Sequence, residues 1–254
     1  PAAEDDGKPR VLIVEDNADL RRYLAELLGS DYHCDLAADG AQALEAAFEH
    51  IPDLVLLDLM LPKLDGFQVS HALKEDERTS HIPIVMLTAR QDRESRLEGW
   101  QERVDAYFTK PFDDDELKLR IANLLEIRDI LKQRFRNHFF EEPAPQQILN
   151  PKESRFVDRL EQILEASHGD PEFGLAQMAA GIFMSPRQLQ RKLKATLGHN
   201  PSEYLRSFRL RRSRELLKTG LQVGMVADAV GFSSPAYFTS CFKAQFGETP
   251  SEYQ

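Results

Sequence analysis

Leu54-Val55-Leu56-Leu57-Asp58-Leu59-Met60-Leu61-Pro62 decides the fold of the first half of this chain. Four consecutive apolar residues leave no polar face, as in a strand buried on both sides, and the run stops at a carboxylate. Upstream, Val11-Leu12-Ile13-Val14 has the same character and stops at Glu15-Asp16. Asp19–Leu28 sets Leu20, Tyr23, Leu24, Leu27 and Leu28 at helical spacing before Gly29. Working outward, the pattern predicts strands over His33–Ala38, Ile84–Leu87 (ending at Thr88) and Ala106–Thr109 (ahead of Lys110-Pro111). Helices are predicted over Gly40–Glu49, Gly66–Glu75, Arg93–Glu102 and Asp113–Leu125. Five strands alternating with five helices in about 125 residues imply a doubly wound α/β fold, a parallel sheet with helices on both faces.

Function in such sheets sits at the carboxyl ends of the strands. There the sequence puts Glu15 and Asp16, Asp58, Thr88 and Lys110. Three neighbouring carboxylates repel one another unless a hard cation neutralises them, and oxygen ligands with water suit Mg²⁺. A carboxylate beside Mg²⁺ and a lysine can attack phosphorus, with Thr88 and Lys110 holding the new phosphoryl oxygens. Taken singly, Asp16 reads as an N-cap and Lys110 as a solvated surface residue. Their joint placement at successive strand ends is what carries the reading.

The motifs Val14-Glu15-Asp16-Asn17, Leu57-Asp58-Leu59-Met60-Leu61-Pro62 with Asp65-Gly66, Leu87-Thr88-Ala89 and Tyr107-Phe108-Thr109-Lys110-Pro111-Phe112 resemble those of the response-regulator receiver family. The resemblance covers about residues 9–126 and implies the flavodoxin-like receiver fold. It implies that Asp58 accepts phosphate from a sensor histidine kinase, and that Asp16, Asp58 and the backbone carbonyl of Met60 hold Mg²⁺, with Glu15 in support through water. Tyr107 stands where the family often has an aromatic that turns inward on activation; packing at a strand end is the alternative reading. Arg103-Val104 departs from the Gly-Ala usual before the aspartate that is Asp105 here.

Composition sets bounds on both halves. The 254 residues are 42% apolar, enough for true cores, and carry a formal net charge of −10. Two cysteines, Cys34 and Cys241, lie 207 positions apart without metal-ligand spacing, which fits a reducing cytoplasm. No apolar run approaches the roughly 20 residues of a membrane span. The charge is uneven: residues 1–125 hold 27 acidic and 14 basic residues, and residues 126–254 hold 15 and 18. Within the latter, residues 185–218 hold ten Lys/Arg against Glu203 and Glu215. A basic stripe in this half suits a polyanion, and the acidic half does not.

The predicted helix 113–125 continues over Glu126–Phe139, where Leu117, Ile121, Leu124, Leu131 and Phe135 follow steps of three and four. That face reads either as a seam against a partner chain or as packing on its own domain. Glu141-Glu142-Pro143-Ala144-Pro145-Gln146-Gln147 breaks helix and reads as linker. The domain reading is therefore a linker-like start over 1–9, a receiver over 10–126, a helical extension and linker over 127–153, and a helical domain over 154–254.

The last part repeats itself at an offset of 49. Ser185-Pro186 meets Ser234-Pro235, Gly198 meets Gly247, and Pro201-Ser202-Glu203-Tyr204 meets Pro250-Ser251-Glu252-Tyr253. Leu189, Leu193 and Leu197 meet Phe238, Phe242 and Phe246, which keeps one apolar stripe. In each copy a short helix (Leu175–Ala180 or Val223–Val230) precedes a turn and a Ser-Pro-initiated helix, which makes two helix-turn-helix units. Opposite its Leu stripe the first such helix presents Arg187, Gln188, Gln190, Arg191 and Lys194, the side chains that guanine and adenine edges require. The basic helix 202–218 joining the copies is about 25 Å long, of the order that sets two readers in successive major-groove segments.

Met184-Ser185-Pro186-Arg187-Gln188-Leu189-Gln190-Arg191, Arg209-Leu210-Arg211-Arg212-Ser213-Arg214-Glu215-Leu216-Leu217 and the run from Val230-Gly231-Phe232 to Glu252-Tyr253 resemble the DNA-binding domain of the AraC/XylS family over about 155–254. The resemblance implies that Arg187, Gln190 and Arg191 read bases, and that Ala236, Thr239 and Ser240 occupy the matching places in the second helix. Lys243 is the repeat counterpart of Lys194. The family often has Arg where Ser240 stands, so the second helix is expected to contact phosphates more than bases.

Together these readings describe a cytoplasmic, phosphorylation-controlled transcription regulator rather than an enzyme, its acyl phosphate lost slowly by self-hydrolysis. Its expected partners are a sensor histidine kinase on a separate or the same chain, double-stranded promoter DNA, a second copy on phosphorylation, and RNA polymerase. No membrane contact is expected of this segment. A standalone regulator and the C-terminal end of a hybrid sensor kinase both fit. Two other classes compete. A phosphatase with an aspartyl-phosphate would want an acid where Met60 stands, and a phosphate sink would use its helical half to bind protein.

Overall fold

The computed structural model describes residues 8–89, 104–138 and 151–254. The predicted helix Arg93–Glu102 and linker 141–147 lie outside the described residues, as does Arg103. The chain divides into two compact units, Pro1–Gln133 and Arg134–Gln254.

The first unit contains β1 (Arg10–Val14), α1 (Ala18–Leu28), β2 (His33–Ala37), α2 (Gly40–His50), β3 (Leu54–Asp58), α3 (Gly66–Glu75), β4 (Ile84–Ala89) and β5 (Ala106–Lys110). The sheet is wholly parallel in the order β2-β1-β3-β4-β5. Alternation along the strands divides the core between the two faces. Leu12, Val14, Val55, Leu57, Ile84 and Met86 face one side with α2 and α3 residues such as Ala43, Val69 and Leu73. Val11, Ile13, Leu54, Leu56, Val85 and Leu87 face the other, with Leu24 and Leu28 of α1. Each such side chain fully removed from water contributes about 1.5–3 kcal/mol, so the apolar runs that mark the strands also hold the sheet together.

Caps fix where the helices begin. Asn17, not Asp16, caps α1, its side chain accepting from the Asp19 and Leu20 N–H groups. Asp39 caps α2, and Asp65 forms a reciprocal capping box with Gln68 at α3. With Asn17 in that role, the Asp16 carboxylate is released from capping.

Helix α4 (Asp114–His138) is continuous, as the extension over 126–139 predicts. The seam reading of its apolar positions does not hold in full. Leu117 and Ile121 are completely buried against the sheet, and Phe135 is buried in the core of the second unit. What α4 leaves exposed is Leu119, Ile127 and Ile130.

The second unit continues with α5 (Pro151–Ser167), α6 (Leu175–Gly181), α7 (Pro186–Leu197), α8 (Pro201–Leu217), α9 (Val223–Ala229), α10 (Pro235–Phe246) and α11 (Pro250–Tyr253). It has two cores that share α8. Tyr204, Leu205 and Phe208 of α8 pack with Phe156, Leu160, Met178, Leu189 and Leu193, whereas Leu210 and Leu217 pack with Val226, Val230, Phe238 and Phe242. The repeat is visible in the caps: Ser185 and Ser234 open α7 and α10, and Gly198 (φ 70°) and Gly247 (φ 83°) close them in the left-handed conformation that favours glycine. The offset of 49 fits those helices but not the ones before them. Met178, Ala179 and Ile182 correspond to Val226, Ala227 and Val230, an offset of 48, so the second turn is one residue longer, at Ser233.

Candidate functional site

The five strand-end residues of the first unit do converge. Asp58 ends β3, Lys110 ends β5, Thr88 lies near the end of β4, and Glu15 and Asp16 follow β1. Carboxylate oxygens of Glu15, Asp16 and Asp58 all lie within 4.8 Å of one another. Glu15, Asp58 and Thr88 are buried, while Asp16 is exposed at the rim. Lys110 Nζ bridges two of the acids, 2.7 Å from Glu15 Oε2 and 3.0 Å from Asp58 Oδ1. Gly66 permits the close approach of α3 to the end of β3, because a β-carbon there would lie 2.5 Å from the Asp58 carbonyl oxygen.

The electrostatics follow from burial. Desolvation pushes the Asp58 carboxyl above its ordinary range, against the hydrogen bond from Lys110. Glu15 is raised for the same reason and by the nearby Asp58 charge, again against the Lys110 hydrogen bond. Burial alone would lower Lys110, but its bonds to Glu15 and Asp58 outweigh that and raise it. One ammonium among three carboxylates leaves an excess of negative charge in a partly dry crevice, a donor set of hard oxygens that fits a divalent cation such as Mg²⁺.

Tyr107 is half-buried and packs against the core formed with Leu59, Met86 and Ile84, its ring turned inward. Met60 is 68% exposed beside Asp58, and the Thr88 hydroxyl donates to the Ala89 carbonyl at 3.2 Å. Sequence reasoning missed Arg21. Its Nη1 donates to the carbonyls of Glu15 (2.6 Å) and Asp16 (3.2 Å) and so ties down the acidic turn. An arginine one helical turn past Asp16-Asn17 was the available signal. Asp105, next to the departing Val104, takes Ile84 N–H at 2.8 Å and Lys74 at 2.9 Å.

On the second unit, Arg187, Gln190 and Lys194 are exposed along α7 and Arg191 is half-buried. Gln188 is otherwise occupied: its Oε1 accepts from Ser185 N–H at 2.9 Å, completing the capping box that opens α7. On α10, Ala236, Ser240 and Lys243 are exposed and Thr239 is half-buried. Thr239 and Ser240 donate their hydroxyls to the Pro235 and Ala236 carbonyls of their own helix, at 2.9 and 3.1 Å. At the positions matching Arg187, Gln190 and Arg191, the second helix thus has no long polar side chain, and Thr239 and Ser240 bond to its own backbone.

The basic stripe needs correction. Much of the charge on α8 is spent within the unit: Arg211 pairs with Glu161 at 2.7 Å, and Arg212 pairs with Glu165 at 2.5 Å and Glu215 at 2.9 Å. Arg209 hydrogen-bonds two backbone carbonyls, and Arg214 bonds the Tyr253 hydroxyl at 3.1 Å. Except for Glu215, on α8 itself, the partners lie on α5, in the loop after it or on α11, too far along the chain for a local charge count to pair them.

Residues 11–122 match the response regulator receiver domain family, and residues 178–254 match a helix-turn-helix domain family. Among curated relatives, histidine kinase P4 of Formosa agariphila is 36% identical over 248 residues, 97% of this chain. Sensor histidine kinase TmoS of Ectopseudomonas mendocina is 35% identical over 181 residues, 70% of this chain. The chain spans 18% of the length of each of these kinases. Among solved structures, the receiver domain of a sensor histidine kinase from Pseudomonas aeruginosa PAO1 is 31% identical, covering 47% of this chain and 98% of that one with a TM-score of 0.45. The chain carries, in order, a response regulator receiver domain and a helix-turn-helix domain of the AraC type.

Proposed function

We propose that this chain is a phosphorylation-controlled, sequence-specific DNA-binding regulator. The observation that carries the reading is the buried Asp58 carboxylate, held 3.0 Å from Lys110 among three clustered acids, on one chain with two helix-turn-helix units. A sensor histidine kinase supplies the phosphoryl group. An Asp58 oxygen attacks phosphorus, the P–N bond of the phosphohistidine breaks, and the freed imidazole keeps the electron pair and takes up a proton. Lys110 and Thr88 stand where the oxygens of the transferred group need donors, and Lys110 offsets part of their charge. Mg²⁺ would be held by Asp16, Asp58 and the Met60 carbonyl, with Glu15 in support through water, and when bound it neutralises the crowded oxygens. Tyr107 is the switch residue.

The DNA-binding unit reads bases through Arg187, Gln190 and Arg191, with Lys194 and Gln188 beside them. Ala236, Thr239, Ser240 and Lys243 contact mostly phosphate and sugar. Phosphorylation promotes pairing of two copies, for which the exposed Leu119, Ile127 and Ile130 of α4 offer apolar surface. The pair acts on promoter DNA with RNA polymerase. The segment works in the cytoplasm as a regulator, not as an enzyme, and loses its phosphoryl group slowly by self-hydrolysis. Its match over nearly its whole length to a protein named histidine kinase favours placement on a hybrid kinase. No helix among the described residues is long and apolar enough to cross a membrane.

The test is labelling with a small acyl phosphate, followed by DNA binding. The reading expects one Mg²⁺-dependent label, lost in Asp58→Asn, and DNA affinity that rises with the label. Continuous phosphate release from many phosphoesters would favour a phosphatase instead. Absence of salt-sensitive DNA binding would favour a phosphate sink.

A further inference from the structure

Helix α8 is the only described element whose side chains enter both cores of the second unit, and Arg209 sits at its middle. Its half-buried guanidinium forks onto the loop after α5. Nε donates to the His168 carbonyl at 2.8 Å and Nη2 to the Asp170 carbonyl at 2.7 Å. That loop belongs to the first helix-turn-helix side: the His168 ring stands edge-on to Phe208, with centroids 5.5 Å apart, and its Nδ1 lies 3.0 Å from the Leu164 carbonyl. The same loop abuts the second side. A β-carbon at Gly231, in the turn between α9 and α10, would lie 2.2 Å from the His168 carbonyl oxygen and 2.9 Å from Arg209 Nη2. A β-carbon at Gly169 would lie 2.9 Å from the Ala229 carbonyl oxygen. Gly231 is in the left-handed region, at φ 81°. Backbone of the first helix-turn-helix side, backbone of the second side and one half-buried guanidinium thus meet at one place.

We infer that Arg209 is a positioning residue that sets the separation and angle of α7 and α10, and thereby the spacing between the two DNA blocks that one chain can occupy. This rests on the DNA-binding reading above. Arg209 contacts no base in this role. It fixes where the second reader lies once the first is docked. The loop carbonyls need both arms of the fork: a lysine keeps the charge but offers one ammonium where two divergent donors are required. The fork is the charged contact that lies where the two sides meet, between the loop after α5 and the turn at Gly231.

The experiment uses the full chain in two readouts. In the first, spin labels are attached through Ala176→Cys on α6 and Gln245→Cys on α10, in a background of Cys34→Ser and Cys241→Ser. Their distance distribution is measured without DNA. In the second, binding is selected on random DNA, and affinity is compared for one-block and two-block sites. The parent protein is expected to give a narrow distance and one fixed spacing. Arg209→Ala and Arg209→Lys are both expected to broaden the distance and to tolerate spacings one base pair shorter or longer. Two-block affinity should fall about tenfold, the size expected when a charge-assisted hydrogen-bonded fork is lost, while one-block affinity stays within about twofold. An unchanged distance distribution in Arg209→Ala overturns the proposal, whatever the DNA result. So does an unchanged spacing preference, a Lys variant indistinguishable from the parent, or an equal fall for one-block and two-block sites, which would mark a merely structural role. A parent chain with a narrow distance but no affinity for DNA sinks the DNA-binding reading and the spacing claim together. The label distance reads the Arg209 contact separately.

Discussion

The receiver crevice and the α8 face both gather charged side chains, yet they differ in what remains after internal pairing. In the crevice, Glu15, Asp16 and Asp58 share one lysine, and burial holds Asp58 and Glu15 above their ordinary carboxyl range. On α8, Arg211 and Arg212 meet Glu161, Glu165 and Glu215. The first arrangement leaves an excess of negative charge, whereas the second pairs its charges within the unit. Surface pairs of that kind are worth only about 0–1 kcal/mol each, so they organise the face more than they stabilise it. Total charge is therefore a poor guide to function on α8, where the arginines named above are paired within the unit.

The largest expected effect that would break this comparison is at Asp58. Asp58→Asn should abolish acyl-phosphate labelling altogether, as read by intact-protein mass spectrometry; undiminished labelling would dissolve the distinction between the two regions. Asp16→Ala should follow, weakening Mg²⁺ affinity about tenfold or more because it removes a ligand and part of the attracting charge. Calorimetric titration with Mg²⁺ checks this, and unchanged affinity would count against the crevice as a metal site.

Next comes the reader face. Arg191→Ala should cost about 1–3 kcal/mol at one base position and relax specificity there, whereas Ser240→Ala should change affinity by less than about 0.5 kcal/mol. Quantitative binding to single-base variants separates the two. Equal losses on every sequence would make Arg191 a phosphate contact.

Without metal, the crevice should also work against folding. A carboxyl whose folded-state pKa is raised costs stability at pH values above that pKa, since the unfolded chain ionises it more easily. Asp58→Asn removes this cost, so at neutral pH and without Mg²⁺ it should melt higher than the parent. Added Mg²⁺ should narrow or reverse the difference. A lower melting point without metal would show that Lys110 already compensates the acids.

The smallest effect sharpens a comparison within the DNA-binding unit. Phe183 is 89% exposed at φ 58°, where the second copy has Gly231 at φ 81°. A left-handed non-glycine residue costs about 1–2 kcal/mol, and glycine returns roughly half of that in chain entropy. Phe183→Gly should therefore raise stability by about 0.5–1 kcal/mol in denaturant unfolding. A loss would mean that the phenyl ring makes a stabilising contact despite its exposure.

The fold was legible because its signals are local. Apolar runs such as Val11–Val14 and Leu54–Leu57 mark the strands, and each stops at a residue the crevice uses. The convergence of Glu15, Asp16, Asp58, Thr88 and Lys110 followed from topology alone, since parallel strands deliver their carboxyl ends to one edge. What stayed hidden depends on partners distant in sequence. Leu117, Ile121 and Phe135 share one helical spacing, yet the first two enter the receiver core and the third enters the next. The arginines of α8 looked available until α5 supplied its glutamates. The turn residue Ser233 was invisible because the repeat was aligned on its strongest helices, α7 and α10.

The most direct test of the central claim is selection of bound sites from random double-stranded DNA by the full chain, with and without an acyl-phosphate donor and Mg²⁺. The account predicts one sharply specified block and one tolerant block about one helical turn apart, bound more tightly with the donor, with that gain lost in Asp58→Asn. Two equally sharp blocks, or an affinity indifferent to the donor, would contradict it.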